Sequence, residues 1–202
     1  MRVGSGRRSG QRFDAQNGVV TEALIFLGEL DPEAIGPALA DATHYEPTPV
    51  AQIHSMLDAV PAEPAEKTFV DLGAGMGRVV LLAATKPFRQ VIGVEVSGAL
   101  CETARDNAVR WRRARPELCC KDLRIIRADA AEFRFPSGEI VVYLYNPFGA
   151  QTLARVAERL ARLPSRVFVL YHTPVHRNVL DEHPAFETIA DLGFGVVYRK
   201  GA

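Results

Sequence analysis

From Thr68 onward, short apolar runs alternate with longer segments whose apolar residues recur at helical spacing. Thr68-Phe-Val-Asp-Leu72, Gln90-Val-Ile-Gly-Val-Glu95, Leu123-Arg-Ile-Ile-Arg127, Ile140-Val-Val-Tyr-Leu-Tyr145 and Arg166-Val-Phe-Val-Leu-Tyr171 each read as a strand. Helices are predicted between them: one from the Gly-rich turn after Leu72 to about Thr85, one capped by Ser97 and running to about Arg113, and one over residues 150–162. The tail from Phe186 to about Arg199 holds two strand-like runs around Gly193-Phe-Gly195. Strands that alternate with helices in this way imply an α/β fold, a doubly wound, mostly parallel seven-stranded sheet with helices on both faces. The last two strands, joined by a tight turn, add an antiparallel C-terminal edge strand.

Upstream the pattern is less regular. Residues 1 to about 12 are rich in Gly, Ser and Arg, lack periodicity and are expected to be mobile. Between Phe13 and Thr43, Asn17-Gly18 is a turn dipeptide, and the run from Val19 to Leu27 fits helix or strand. Tyr45-Glu-Pro-Thr-Pro49 is stiff and extended, because each proline fixes its own φ and holds its predecessor out of the helical region. Thr48 is the expected N-cap, with Pro49 at the first helical position of a helix to about Val60. Ile53, Met56, Leu57 and Val60 give that helix one apolar stripe. Residues 1–44 therefore read as an N-terminal extension or lid, and 45–202 as the main domain.

Composition narrows the function classes. The 202 residues are 48% hydrophobic, enough for a single core rather than wholesale disorder. Lys and Arg balance Asp and Glu at 24 each, which argues against a strongly basic nucleic-acid binder. Arg110-Trp-Arg-Arg-Ala-Arg115 is a local basic run, read as a helix C-terminus where cations complement the macrodipole, with Trp111 as a packing anchor. Cys101, Cys119 and Cys120 make neither a disulfide framework nor a metal knuckle, and read as free thiols in a reducing compartment. No metal set is expected from the scattered histidines. No apolar stretch follows the charged N-terminus, and Val79-Val-Leu-Leu-Ala-Ala84 is too short to span a bilayer, so a cytoplasmic protein is expected.

The most informative stretch is Phe69-Val-Asp-Leu-Gly-Ala-Gly-Met-Gly-Arg78. A strand runs directly into a helix through Gly73, Gly75 and Gly77, and ligands bind beyond the carboxyl ends of such strands. A dinucleotide fingerprint needs G-x-G-x-x-G, but its third glycine position is held here by Arg78. Asp71 would repel a pyrophosphate and would suit an ammonium group. Glu95, at the end of the second strand, is placed to accept hydrogen bonds from both hydroxyls of a ribose. Asp129 follows the third strand and reads either as a ligand contact or as a helix N-cap.

The D-x-G-x-G-x-G arrangement resembles motif I of the class I S-adenosylmethionine (SAM)-dependent methyltransferases. The resemblance covers about residues 45 to 199. It implies SAM as cofactor and S-adenosylhomocysteine as product, held by Asp71, Gly73, Ala74, Gly75, Gly77 and Glu95, with Asp129 and the Ala130 N–H at the adenine. Tyr45-Glu-Pro-Thr-Pro49 is similar to the element before motif I in non-SET lysine methyltransferases and related uncharacterised bacterial methyltransferases. By that likeness Tyr45 and Thr48 line the cofactor; a rigid linker that packs the helix is the alternative.

Tyr145-Asn146-Pro147-Phe148-Gly149 resembles the [DN]-P-P-[YF] motif of amino-group methyltransferases, but lacks its second proline and carries the aromatic one position early. The resemblance implies that Asn146 and Pro147 receive the acceptor nitrogen and that Phe148 packs against it, with Asn146 also bordering the cofactor. The implied activity is methyl transfer to an amino nitrogen of a protein lysine or a small amine. Its competitors are a non-catalytic SAM-binding protein and an NAD-dependent oxidoreductase. Tyr143 and Tyr145 share one strand face and read as packing residues, Tyr145 nearer the mouth. His172 reads as a base, an acceptor contact or a satisfied structural histidine.

Overall fold

A computed structural model of the chain describes residues 3–26, 44–61 and 63–201. The parallel strands form where the apolar runs stand: β3 (Thr68–Leu72), β4 (Gln90–Glu95), β5 (Leu123–Arg127), β6 (Ile140–Tyr145) and β7 (Val167–His172). β8 (Phe186–Asp191) and β9 (Gly195–Lys200) follow, and the sheet order is β5-β4-β3-β6-β7-β9-β8. β3–β4, β3–β6, β4–β5 and β6–β7 pair in parallel, whereas β9 pairs antiparallel with both β7 and β8. The antiparallel strand is thus the C-terminal one, lying just inside the edge strand β8. Every residue of β3 is buried, which explains its unbroken apolar character: both faces of a central parallel strand are covered.

Two apolar clusters sandwich the sheet. One joins Phe69, Tyr143 and Phe168 to α2 (Val50–Asp58), α3 (Arg78–Ala83) and α4 (Gly98–Ala114). The other joins Val70, Val142 and Val169 to α5 (Ala150–Ala161) and to Leu180 of α6 (Asn178–Asp181). Ser97 caps α4 as expected, its hydroxyl accepting from the Leu100 N–H at 3.4 Å. Thr48 does not cap α2. Pro49 occupies that position without a side-chain bond, because the Thr48 hydroxyl is 2.9 Å from the Tyr143 hydroxyl in the core. A tertiary partner has outcompeted a local one.

The N-terminal stretch without periodicity forms a helix, α1 (Val3–Asn17), which ends at Gly18 in the left-handed conformation. Residues 19–24 run on without helix into β1 (Ile25–Phe26), which pairs antiparallel with β2 (His44–Tyr45). The remainder of the ambiguous segment, from Leu27 to Thr43, lies outside the described residues. The basic run at the end of α4 holds α1. Trp111 is buried and packs on the Phe13 ring at 5.7 Å between centroids, the Arg115 guanidinium lies 3.6 Å from the Trp111 ring centre, and Arg115 also bonds the Asn17 side chain. Arg112 donates to the Leu123 carbonyl at the sheet edge.

Asn107 is the central fastener. Its amide accepts from the Val20 N–H at 2.9 Å and donates to the Val20 carbonyl at 2.7 Å and the Met76 carbonyl at 2.9 Å. One side chain thereby joins the N-terminal segment to the Gly-rich turn. Asn107→Ala strands these backbone groups, and buried unpaired groups cost about 1–3 kcal/mol each. Urea denaturation is expected to show a lower midpoint with an unchanged slope; a midpoint equal to wild type would contradict the fastening role.

Candidate functional site

The main cleft opens beyond the carboxyl ends of β3, β4, β5 and β6, with the turn after each strand forming part of its wall. It gathers Tyr45, Thr48, Asp71, Gly73, Ala74, Gly75, Glu95, Asp129, Ala130, Asn146, Pro147 and Phe148. Gly77 is the one predicted site residue outside that wall. It caps α3 with a φ of 88°, and a Cβ there would sit 3.3 Å from the Cβ of Ala104, so its work is to seat α3 against α4.

The carboxylates define the chemistry. Asp71 is 2% exposed, faces the cleft and has no hydrogen-bond partner among the described residues. Burial, reinforced by the neighbouring charge of Glu95, raises its pKa well above the carboxylate range. Glu95 is also buried, but its two oxygens accept from the Gly75 N–H at 2.9 Å and the Ser97 N–H at 2.8 Å. Burial still pushes its pKa up against those bonds. Each oxygen keeps a second lone pair, so a vicinal diol can be received there. Asp129 accepts from the Ala131 N–H at 2.8 Å, so it holds its own turn while also facing the cleft.

The Gly-rich turn spends its donors internally. The N–H groups of Gly73 and Ala74 both reach the Val94 carbonyl at 2.9 Å, that of Gly75 reaches Glu95, and that of Gly77 reaches Ala74 at 2.8 Å. A pyrophosphate would find these groups already taken and the acidic side chains of Asp71 and Glu95 beside them. Gly73 and Gly75 have positive φ values of 84° and 53°, and each lies under a neighbour. A Cβ on Gly73 would be 2.9 Å from the Pro147 Cβ, and one on Gly75 would overlap the Tyr45 ring. Tyr45 donates its hydroxyl to the Thr21 carbonyl at 2.7 Å, so the ring closes over the turn from the N-terminal side.

Across the cleft, Asn146 adopts a φ of 45°, a strained conformation for a side chain other than glycine. Its Oδ1 accepts from the Tyr171 hydroxyl at 3.1 Å. Phe148 belongs to the apolar cluster built on α5 and Leu180 and presents only an edge of its surface to the cleft. His172 is not part of this wall. It is 3% exposed, lies 2.8 Å by Nε2 from the Gln52 amide oxygen and 3.0 Å by Nδ1 from the Thr173 hydroxyl, and meets the Tyr145 ring edge-on. Burial lowers its pKa to about 4, so it is a neutral structural residue supporting Tyr145.

Three participants escaped sequence reasoning. Tyr143 lines the cleft while its hydroxyl meets Thr48. Glu46 faces the same space and accepts from the Tyr145 hydroxyl at 3.2 Å. Arg78 is buried, with its guanidinium 2.7 Å from Glu22. Its position in the motif marked only a missing glycine; nothing local announced an ion-pair partner far upstream. Among the described residues no group of His, Cys, Asp and Glu is arranged to hold a metal.

Comparison with known proteins bears on the fold. The family model for histone methylation protein DOT1 matches residues 40–135. No curated protein matches the sequence. The structure is similar to an RNA methyltransferase of Salinibacter ruber in complex with S-adenosyl-L-homocysteine, with a TM-score of 0.53 and 20% identity over 76% of this chain and 92% of that one. The fold is that of the class I SAM-dependent methyltransferases. TrmN from Thermus thermophilus is also similar (TM-score 0.54, 22% identity, 74% of this chain and 48% of that one). So is magnesium protoporphyrin IX methyltransferase from Synechocystis with bound SAM (TM-score 0.51, 11% identity, 75% of this chain and 77% of that one). The methyltransferase fold is thus shared by proteins whose acceptors differ widely in chemistry.

Two pH effects follow from the buried groups. Asp71 has a raised pKa in the fold, so its ionisation opposes folding once the pH exceeds the unfolded carboxylate value of about 4. Asp71→Asn is therefore expected to melt at a higher temperature than wild type, by a margin that grows as the pH rises above about 4; a variant less stable than wild type at neutral pH would refute this. His172 has a depressed pKa, so the stability held above about 6.5 is lost as the pH falls towards about 4. His172→Gln should flatten that slope in denaturation experiments across the same range.

Proposed function

We propose that the protein is a SAM-dependent methyltransferase that methylates an amino nitrogen, on a protein lysine or a small amine. The observation that carries the cofactor is Asp71: a buried carboxylate without a partner, in a cleft whose turn has spent its N–H groups, calls for a cation. The α-ammonium group of a methionine moiety supplies one. Glu95 offers two oxygens to a ribose, and Asp129 with the Ala130 N–H borders the adenine end. Tyr45 and Thr48 close the methionine side. SAM, when bound, contributes a methyl group made electrophilic by the adjacent sulfonium.

The chain's own part is alignment. In-line displacement needs no protein nucleophile, and holding two reactants in register supplies much of the acceleration. Asn146 is held in place by Tyr171 and by its strained backbone, with Pro147 wedged against Gly73. Their oxygens accept from the acceptor N–H groups and direct the nitrogen lone pair into the cleft, while the exposed edge of Phe148 flanks it. The amine must shed its proton to attack, and a partly apolar mouth favours the neutral form.

The zero net charge, and the use of Arg112 and Arg115 to hold the fold, support a protein or small-amine acceptor over a nucleic acid. Free thiols at Cys101, Cys119 and Cys120 support a reducing, cytoplasmic setting. Among the described residues, no helix is long and apolar enough to cross a membrane.

Transfer of tritiated methyl from SAM to fractionated lysate is expected to label the protein or small-amine fraction. Labelling confined to RNA would overturn the acceptor assignment. Asn146→Ala should lower turnover by about 100-fold while S-adenosylhomocysteine still binds, since loss of alignment costs rate rather than cofactor affinity. Unchanged turnover would remove Asn146 from the site. In a thermal-shift titration, stabilisation by NAD in preference to SAM would favour the oxidoreductase.

A further inference from the structure

We infer that the segment Asp14–Glu22 is a latch for the cofactor cleft, and that Arg78 is the positioning residue through which it acts. The inference rests on the methyltransferase reading of that cleft and adds the segment Asp14–Glu22, which does not line it; Arg78 stands on the cleft wall and joins the two.

Arg78 opens α3 immediately after the Gly-rich turn and is 3% exposed. Its guanidinium is committed on several sides at once. Nη2 lies 2.7 Å from Glu22 Oε2 and 3.7 Å from Asp14 Oδ1. Nε donates to the Thr21 hydroxyl at 2.7 Å, and Nη1 reaches the Thr48 carbonyl at 3.4 Å. The Phe13 ring covers it at 5.6 Å. Asp14 in turn accepts from the Thr21 and Glu22 N–H groups at 2.6 and 2.7 Å, folding the segment back onto the end of α1. Gly10 of α1 leaves the space: a Cβ there would overlap the Glu22 carboxylate.

The output of this network is Tyr45. Its hydroxyl is held by the Thr21 carbonyl, and its ring covers Gly75. Arg78 thus touches the cleft wall twice, directly at Thr48 and through Thr21 at Tyr45. A buried guanidinium that loses its main carboxylate cannot be left dry, so the segment must move to hydrate it. Once Thr21 moves, Tyr45 loses its tether and the wall over the methionine side loosens. Neither Glu22 nor Thr21 touches Asn146, Pro147 or Phe148, so the effect falls on cofactor retention and spares the methyl-transfer geometry.

The test is calorimetric binding of S-adenosylhomocysteine together with steady-state kinetics on the full-length protein. Glu22→Gln, nearly isosteric, is expected to weaken binding about tenfold and raise the KM for SAM by the same factor, with kcat within about twofold of wild type. Tyr45→Phe keeps the ring, removes the hydroxyl's bonds to the Thr21 carbonyl and to the Met76 backbone, and is expected to weaken binding about fivefold, the worth of one ordinary hydrogen bond. That variant preserves the test if Glu22→Gln fails to fold. A wild-type protein that binds S-adenosylhomocysteine tightly, with both variants binding equally well, overturns the latch alone. A fall in kcat at unchanged KM in Glu22→Gln also overturns it. A wild-type protein that binds no S-adenosylhomocysteine overturns the cofactor reading, and the latch with it.

Discussion

A carboxyl group buried without a hydrogen-bond partner is one of the more expensive arrangements a protein can maintain, and among the described residues Asp71 maintains it near the carboxyl end of β3. Desolvation and the proximity of Glu95 both oppose its charge. The fold tolerates this because the strand beneath it is fully buried and paired on both sides, by β4 and β6. The strain is local, and the surrounding layers over-determine it. Glu95 shows the contrasting solution: an equally buried acid whose charge is held by two backbone N–H groups, leaving it pre-oriented rather than strained.

The topology explains why these groups meet. β3 lies between β4 and β6, so turns distant in sequence become adjacent at one end of the sheet. Pro147 then fits against Gly73, and Tyr45 against Gly75, contacts that any Cβ would prevent. The glycines therefore serve packing at least as much as turn geometry. Gly77 carries this furthest, since it stands outside the cleft wall and serves the α3–α4 contact.

Much of this was legible from the chain alone. β5 and β6 fall where the apolar runs predicted them, and the Ser97 cap behaves as its local chemistry requires. Asp71, Glu95 and Asp129 could be placed together because strand ends in a parallel sheet converge on one side. What failed were assignments resting on local chemistry where a distant partner competed. Thr48 looked like a cap until Tyr143 claimed its hydroxyl. The first residues looked irregular because their helix is fixed by Phe13 on Trp111 and by Asn17 on Arg115, not by any stripe of their own. His172 stood open between three roles until burial and Gln52 assigned it a structural one.

The sequence by itself determined the order of elements and the identity of the acids at the strand ends, because apolar periodicity and turn chemistry act over a few residues. The tertiary structure alone decided which acid is paired and which is bare, which glycine faces the cleft, and which arginine bridges the N-terminal segment to the turn. Those outcomes depend on burial and on contacts between residues tens of positions apart, and the free energy of a charge is set by that surrounding medium rather than by its neighbours along the chain.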